Sequence, residues 1–336
     1  MEPEAAWVHW DSQLTQWSMD LMANRTMEPA VWTPGLPVDQ YDQYAATEIF
    51  GSFFQTSNPT SPSSGGQMIQ LGPVQHSNEK NDFQLHDGAM SLFYAGHILN
   101  SKSFYGVEVT SDMYGFTMDQ DEATGVVIQL NNLGDNPPSS LNGISVGWHV
   151  YPSLYGDSKT HFFVYWTRDG YQYTGCYNLK CPGFIPEANI PIVPGATIDS
   201  VSNPGGIKRT IIFKVFKDSG GDWLLHIGFD SEPYLIGRFP KSLFNNILGE
   251  ANEIKLVGLV QTRTTRVAPM GSGFLSNNKK KAASLSNIQI IDQNGQASNV
   301  TQNSRDFMTD KAIYSVSQIS SEGMFTYEDA GASVVL

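Results

Sequence analysis

Residues 144–183, ISVGWHVYPSLYGDSKTHFFVYWTRDGYQYTGCYNLKCPG, decide the fold. Ile144, Val146, Trp148 and Val150 fall on one side of a period-two pattern, and Ser145, Gly147 and His149 on the other. From His161 to Thr167 the set Phe162, Val164, Trp166 alternates with Phe163, Tyr165, Thr167. Both sets are largely apolar, which predicts a strand buried between two layers. Asp169-Gly170 then predicts a hairpin turn into Tyr171-Gln172-Tyr173. Working outward, Ile211, Phe213 and Val215 alternate with Lys214, Asp218 to Asp222 turns the chain, and Trp223, Leu225 and Ile227 form one face of the return strand. Further on, Ile254, Leu256, Gly258 and Val260 oppose Lys255, Val257, Leu259, Gln261 and Arg263. One helix is expected here, over Lys241 to Ala251, with Leu243, Phe244, Ile247, Leu248 and Ala251 on its stripe. Many short strands separated by Gly and Pro turns predict an all-β protein, an antiparallel β-sandwich.

The chain has 336 residues, 40% of them hydrophobic, enough for a sizeable core. Its net charge of −13 argues against a nucleic-acid partner, because phosphate binding needs clustered cations. Lys279-Lys280-Lys281 is the basic cluster, and after Ser276-Asn277-Asn278 it reads as a solvated loop. No run approaches the ~18 apolar residues of a membrane span. The opening MEPEAAWVHWDSQLTQW has neither the basic nor the apolar region of a secretory signal. Trp7, Trp10, Leu14, Trp17 and Leu21 instead predict an amphipathic helix within residues 1–30, either docked on its own domain or offered to a partner. Residues 31–82 read as a Pro/Ser/Gly-rich linker, clearest at Asn58 to Gly66. The sandwich is expected over 83–296, with 297–336 as a C-terminal extension of the domain.

Two cysteines, Cys176 and Cys181, suit a short disulfide loop or part of a metal site. The metal reading needs further ligands, and His149, His161 and His226 are scattered singly, so neither a metal nor a cofactor is expected. Asn24-Arg25-Thr26 and Asn299-Val300-Thr301 fit the glycosylation sequon, which matters if the chain is secreted.

Gly147-Trp148, Tyr155-Gly156-Asp157, Tyr165-Trp166-Thr167, Gly170-Tyr171-Gln172, Thr174 to Leu179 and Cys181-Pro182-Gly183 together resemble the core signature of the neprosin family, plant proline-directed endopeptidases that work with a pair of glutamates. The resemblance extends to Ser103 to Gly106, Phe216-Lys217-Asp218 with Asp222-Trp223-Leu224, Gly237 to Pro240, Met270 to Gly273 and Ala282 to Asp292. It implies two packed, curved antiparallel sheets with a cleft across a concave face, a Cys176–Cys181 disulfide, and a plant origin. The family's other cysteine has no counterpart, since Ile313-Tyr314 stands where a Cys-Tyr pair is usual. Family members also carry a signal and an activation segment ahead of the domain.

Where the family has Ile-Glu-Ala-Gly-Trp, this chain has Ile144-Ser145-Val146-Gly147-Trp148. Where it has Trp-Gly-Gly-Glu-Val, this chain has Leu256-Val257-Gly258-Leu259-Val260. Ser145 and Leu259 are therefore degenerate catalytic positions. Two carboxyls hydrolyse a peptide by sharing one proton, one acting as base and one as acid. A serine without a base and a leucine can do neither. The run Thr265 to Met270 also departs from the family's His-Thr-x-Thr-x-Met. Ser145 with His149 as its base is excluded by spacing, since four residues of strand span about 13 Å. The expectation is a catalytically degenerate homologue, at most binding a peptide or proline-rich segment along Trp148, Tyr165, Trp166 and Tyr171. The alternatives are an active acid endopeptidase using Glu108, Asp112, Asp157 or Asp169, and a partner-binding protein acting through the N-terminal helix.

Overall fold

The computed structural model describes residues 90–135, 139–203, 206–244, 248–263, 268–273, 281–300 and 304–329. The expected helix within 1–30 and the linker over 31–82 lie outside the described residues. Among the described residues, sixteen strands form two antiparallel sheets. The seven-stranded sheet takes β14 (Ser304–Met308), β1 (Met90–Phe104), β11 (Ala251–Arg263), β3 (Ala123–Asn132), β4 (Asn142–Val150), β5 (Thr160–Thr167) and β6 (Cys176–Tyr177), in that order. The nine-stranded sheet runs β15 (Tyr314–Val316), β16 (Phe325–Asp329), β12 (Ala283–Ile291), β2 (Gly106–Asp112), β8 (Thr210–Lys217), β9 (Trp223–Phe229), β10 (Tyr234–Phe239) and β7 (Ile185–Pro186), with β13 (Ala297–Asn299) beside β12. Strands of the 297–329 region thus complete both sheets, β14 against β1 and β16 against β12.

The alternations account for the packing. Ile144, Val146, Trp148 and Val150 on β4, Phe162, Val164 and Trp166 on β5, and Ile254, Leu256 and Val260 on β11 meet Ile211, Phe213, Val215, Trp223, Leu225 and Ile227 of the other sheet in one core. The two tryptophans buried deepest bring polar edges into that core, and each is satisfied. Trp148 Nε1 donates to Ser111 Oγ at 3.0 Å and Trp223 Nε1 to the Leu248 carbonyl at 3.0 Å.

Two local expectations are corrected. The stripe over Lys241 to Ala251 is a 3₁₀ turn over Lys241–Phe244, and β11 begins at Ala251. Phe244, Leu248 and Ala251 are buried as the stripe required, but Pro240 supplies a turn carbonyl to Leu243 N–H and the chain is already extended again by 251. Tyr171 to Tyr173 are not a return strand. Gly170 and Tyr171 take positive φ, 61° and 65°, and the Asp169 carboxylate gathers Thr174 N–H, Thr174 Oγ1 and Tyr173 N–H into a loop. The return strand is the two-residue β6, whose Cys176 is bridged to Cys181 with Cα atoms 6.1 Å apart.

Candidate functional site: the outer face of the seven-stranded sheet

The side of this sheet turned away from the inter-sheet core carries a second apolar cluster, with Tyr94 and Ile98 from β1, Val257 and Leu259 from β11, Val127 from β3, Phe163 and Tyr165 from β5, Tyr177 from β6 and Phe307 from β14. Period two sets this membership. Every residue of β4 and β5 is buried, because these strands are covered on both sides. Ser145 and Leu259 both belong to this face and are 3% and 1% exposed.

Register separates the two positions. Ser145 pairs with Gln129 and Tyr165, and Gln129 with Lys255. Leu259 pairs with Gly125, and Gly125 with His149. Two strand spacings of about 4.8 Å and four rises of about 3.3 Å put the Cα atoms about 16 Å apart on a flat sheet, and closer on one that coils. Glycine keeps the middle of the face low. A Cβ on Gly125 would sit 2.7 Å from His149 Cβ, and one on Gly147 only 1.9 Å from the Val126 carbonyl oxygen.

Ser145 has amide and phenol groups beside it rather than a base. Tyr165 stacks on Tyr171 with centroids 5.1 Å apart, and Gln129 Nε2 donates to Tyr171 Oη at 3.0 Å. Burial raises the Tyr171 pKa well above that of an ordinary phenol, Tyr165 adds to the rise, and the Ser145 and Gln129 side chains oppose it. His149 is turned elsewhere. It stacks on Phe163 at 4.2 Å, and its Nε2 shares a 2.7 Å hydrogen bond with Tyr155 Oη, which also accepts from Asn178 Nδ2 at 3.1 Å. Burial, helped by His161, lowers the His149 pKa to about 3, so the ring is neutral at working pH.

Of the aromatic groove candidates, Tyr165 and Tyr171 lie together with Ser145. Trp148 and Trp166 point the opposite way, into the inter-sheet core, with exposures of 0% and 6%. They follow Val146 and Val164 in the alternation and could line this face only if the strands slipped by one residue.

The four acids considered as replacements are occupied elsewhere. Glu108 pairs with Lys214 at 2.8 Å in the nine-stranded sheet. Asp112 accepts from Lys208 Nζ at 2.7 Å and from Ser284 N–H and Oγ, both at 3.0 Å. Asp157 follows α1 (Pro152–Tyr155) and takes His161 Nε2 at 2.9 Å, a bond that does most to hold its carboxyl below the ordinary range. Asp169 closes the loop described above. Sequence reasoning missed the carboxylate that alternation does place on this face, Glu253. It accepts from Asn131 Nδ2 at 2.9 Å and lies 3.4 Å from Lys255 Nζ. Its parity with Lys255 was the available signal; the Asn131 partner required knowledge of the β3–β11 register. Among the described residues, no group of three or more His, Cys, Asp or Glu is placed to hold a metal, and no helix is long and apolar enough to cross a membrane.

The family model described as Neprosin matches residues 120–329. Among solved structures, scytalido-glutamic peptidase bound to a peptide-based transition-state analog is similar at 10% identity and a TM-score of 0.36, over 72% of this chain and all of that one. SCP-B, a member of the eqolisin family of peptidases in complex with the tripeptide Ala-Ile-His, is similar at 11% identity and a TM-score of 0.37, over 72% of this chain and 100% of its own. CG-16, a homodimeric agglutinin from chicken liver, is similar at 12% identity and a TM-score of 0.24, over 48% of this chain and 89% of its own.

Proposed function

Because the chain belongs to the neprosin family, we propose that it is a glutamic-endopeptidase homologue without a catalytic carboxyl pair, which holds a peptide on the outer face of the seven-stranded sheet and does not cut it. The observation that carries this reading is the chemistry of that face. The family resemblance puts Ser145 and Leu259 in the places of its two glutamates, and the strand carboxylate on the same side, Glu253, is engaged by Asn131 and Lys255. A carboxylate next to a lysine has no cause to keep the shared proton that acid–base hydrolysis needs. Losing one positioned acid or base typically costs 10²–10⁴-fold, and here both are replaced. Tyr171, half-buried, stacked over the buried Tyr165 and hydrogen-bonded by Gln129, is the aromatic group on this face with area left for an extended, proline-rich segment to pack on.

The test is a titration of a proline-containing peptide into the protein at pH 4, followed by recovery of the peptide for mass spectrometry. Saturable binding, weakened by Tyr171→Ala, with the peptide recovered whole, is the expected result. Fragments ending next to proline would overturn the loss of catalysis, and no saturable binding would overturn the peptide-holding role.

A further inference from the structure

We propose that Asn299 is an acceptor of an N-linked glycan. The sequon Asn299-Val300-Thr301 has the hydroxyl residue two positions on and no proline between. Its setting in the fold is what separates it from a chance triplet. Asn299 closes β13, whose three residues are all exposed. That strand pairs with β12 through Gln289–Asn299, Ile290–Ser298 and Ile291–Ala297, off the main path of the nine-stranded sheet. The next residue, Val300, is 8% exposed, packs in the inter-sheet core, and donates its N–H to the Ile288 carbonyl at 3.3 Å. The acceptor is therefore held at a fixed place on the surface by a buried neighbour, and a bulky glycan there displaces nothing from the core.

A second observation bears on compartment. The Cys176–Cys181 bridge is of a kind that forms and persists in oxidising compartments, among them the lumen where oligosaccharide is transferred. In the transfer, Asn299 Nδ2 loses a proton and bonds to the anomeric carbon of a lipid-diphosphate-linked oligosaccharide, and the lipid diphosphate leaves with the electron pair of the broken bond. The host's transferase supplies that co-reactant. A glycan on β13 would also cover a short exposed strand.

The test expresses the full chain behind a secretory leader in a eukaryotic host and treats it with peptide-N-glycosidase F, reading mass before and after. An Asn24→Gln change removes the other sequon from the comparison, and material retained in the cells is assayed alongside material in the medium. The expected result is loss of one glycan's mass from the Asn24→Gln protein, with Asp appearing at position 299 in the peptide map. Asn299→Gln and Thr301→Ala should each abolish the shift, while Thr301→Ser keeps it. An Asn24→Gln protein whose mass equals the bare polypeptide in both fractions would overturn the proposal.

Discussion

The two faces of the seven-stranded sheet are made by the same strands and obey different rules. Toward the other sheet, β4 presents Ile144, Val146, Trp148 and Val150, an apolar row whose one polar edge, Trp148 Nε1, is satisfied by Ser111. On the outer side the same strand presents Ser145, Gly147 and His149 among tyrosines, an amide and an ion pair. The first face is dictated by packing, where volume and alternation leave little choice. The second, which carries Ser145 and Leu259, is the face on which we propose that a peptide is held. Stability and activity should therefore divide between the two faces of one strand.

Trp148→Ala should show the largest effect, about 3–5 kcal/mol lost in urea unfolding, since it opens a cavity in the inter-sheet core and leaves Ser111 without its donor. Ser145→Ala, three residues away on the opposite face, should stay within about 1 kcal/mol. Comparable losses from the two would break the contrast.

His149 gives the outer face a pH signature. Its pKa of about 3 in the fold lies below the ordinary 6.5, so the unfolded chain binds the proton more readily. The stability this group leaves intact at neutral pH is withdrawn as pH falls from about 6.5 toward 3, at up to about 1.4 kcal/mol per pH unit. His149→Phe keeps a flat ring against Phe163 and should flatten that part of the curve of melting temperature against pH. An unchanged slope would show that the imidazole is not buried as described. Asp329, at the end of β16, acts with the opposite sign. Burial raises its carboxyl to about 7, with the Met270 N–H opposing and Glu328 adding. Stability from this group is fullest below about 4 and is lost as pH rises through about 7, so Asp329→Asn should raise the melting temperature at pH 8 more than at pH 4.

A smaller effect belongs to the Cys176–Cys181 bridge, which closes a short loop beside Tyr177 on the outer face. Reduction, or Cys176→Ser with Cys181→Ser, should cost about 2 kcal/mol. No change in unfolding midpoint on reduction would remove the bridge from the account of this edge.

The alternations of β4, β5, β8, β9 and β11 made the sandwich legible, because a period-two pattern with large apolar residues has few other uses. The same pattern already separated Trp148 and Trp166 from Tyr165, and grouping all of them by aromatic character overrode it. The stripe over Lys241 to Ala251 marked burial correctly and helix wrongly, since apolar residues three and four apart also meet a core from a turn. The loop at Tyr171 was hidden because its shape comes from one side chain, Asp169, bonding several residues ahead. At the site, alternation put Ser145 and Leu259 on the outer face, and their role there rests on the family motifs alone. The Glu253–Asn131 contact spans 122 residues and depends on strand pairing, which no local pattern contains.

The most direct measurement is cleavage of a proline-containing peptide at acidic pH by the natural chain, beside a Ser145→Glu, Leu259→Glu double variant. An inert natural chain is predicted, and an inert double variant with it, since positions two strands and four rises apart hold their carboxyls too far from each other to share a proton. Cleavage by the natural chain, undiminished by Ser145→Ala, would contradict the account and point to acids other than the two positions named here.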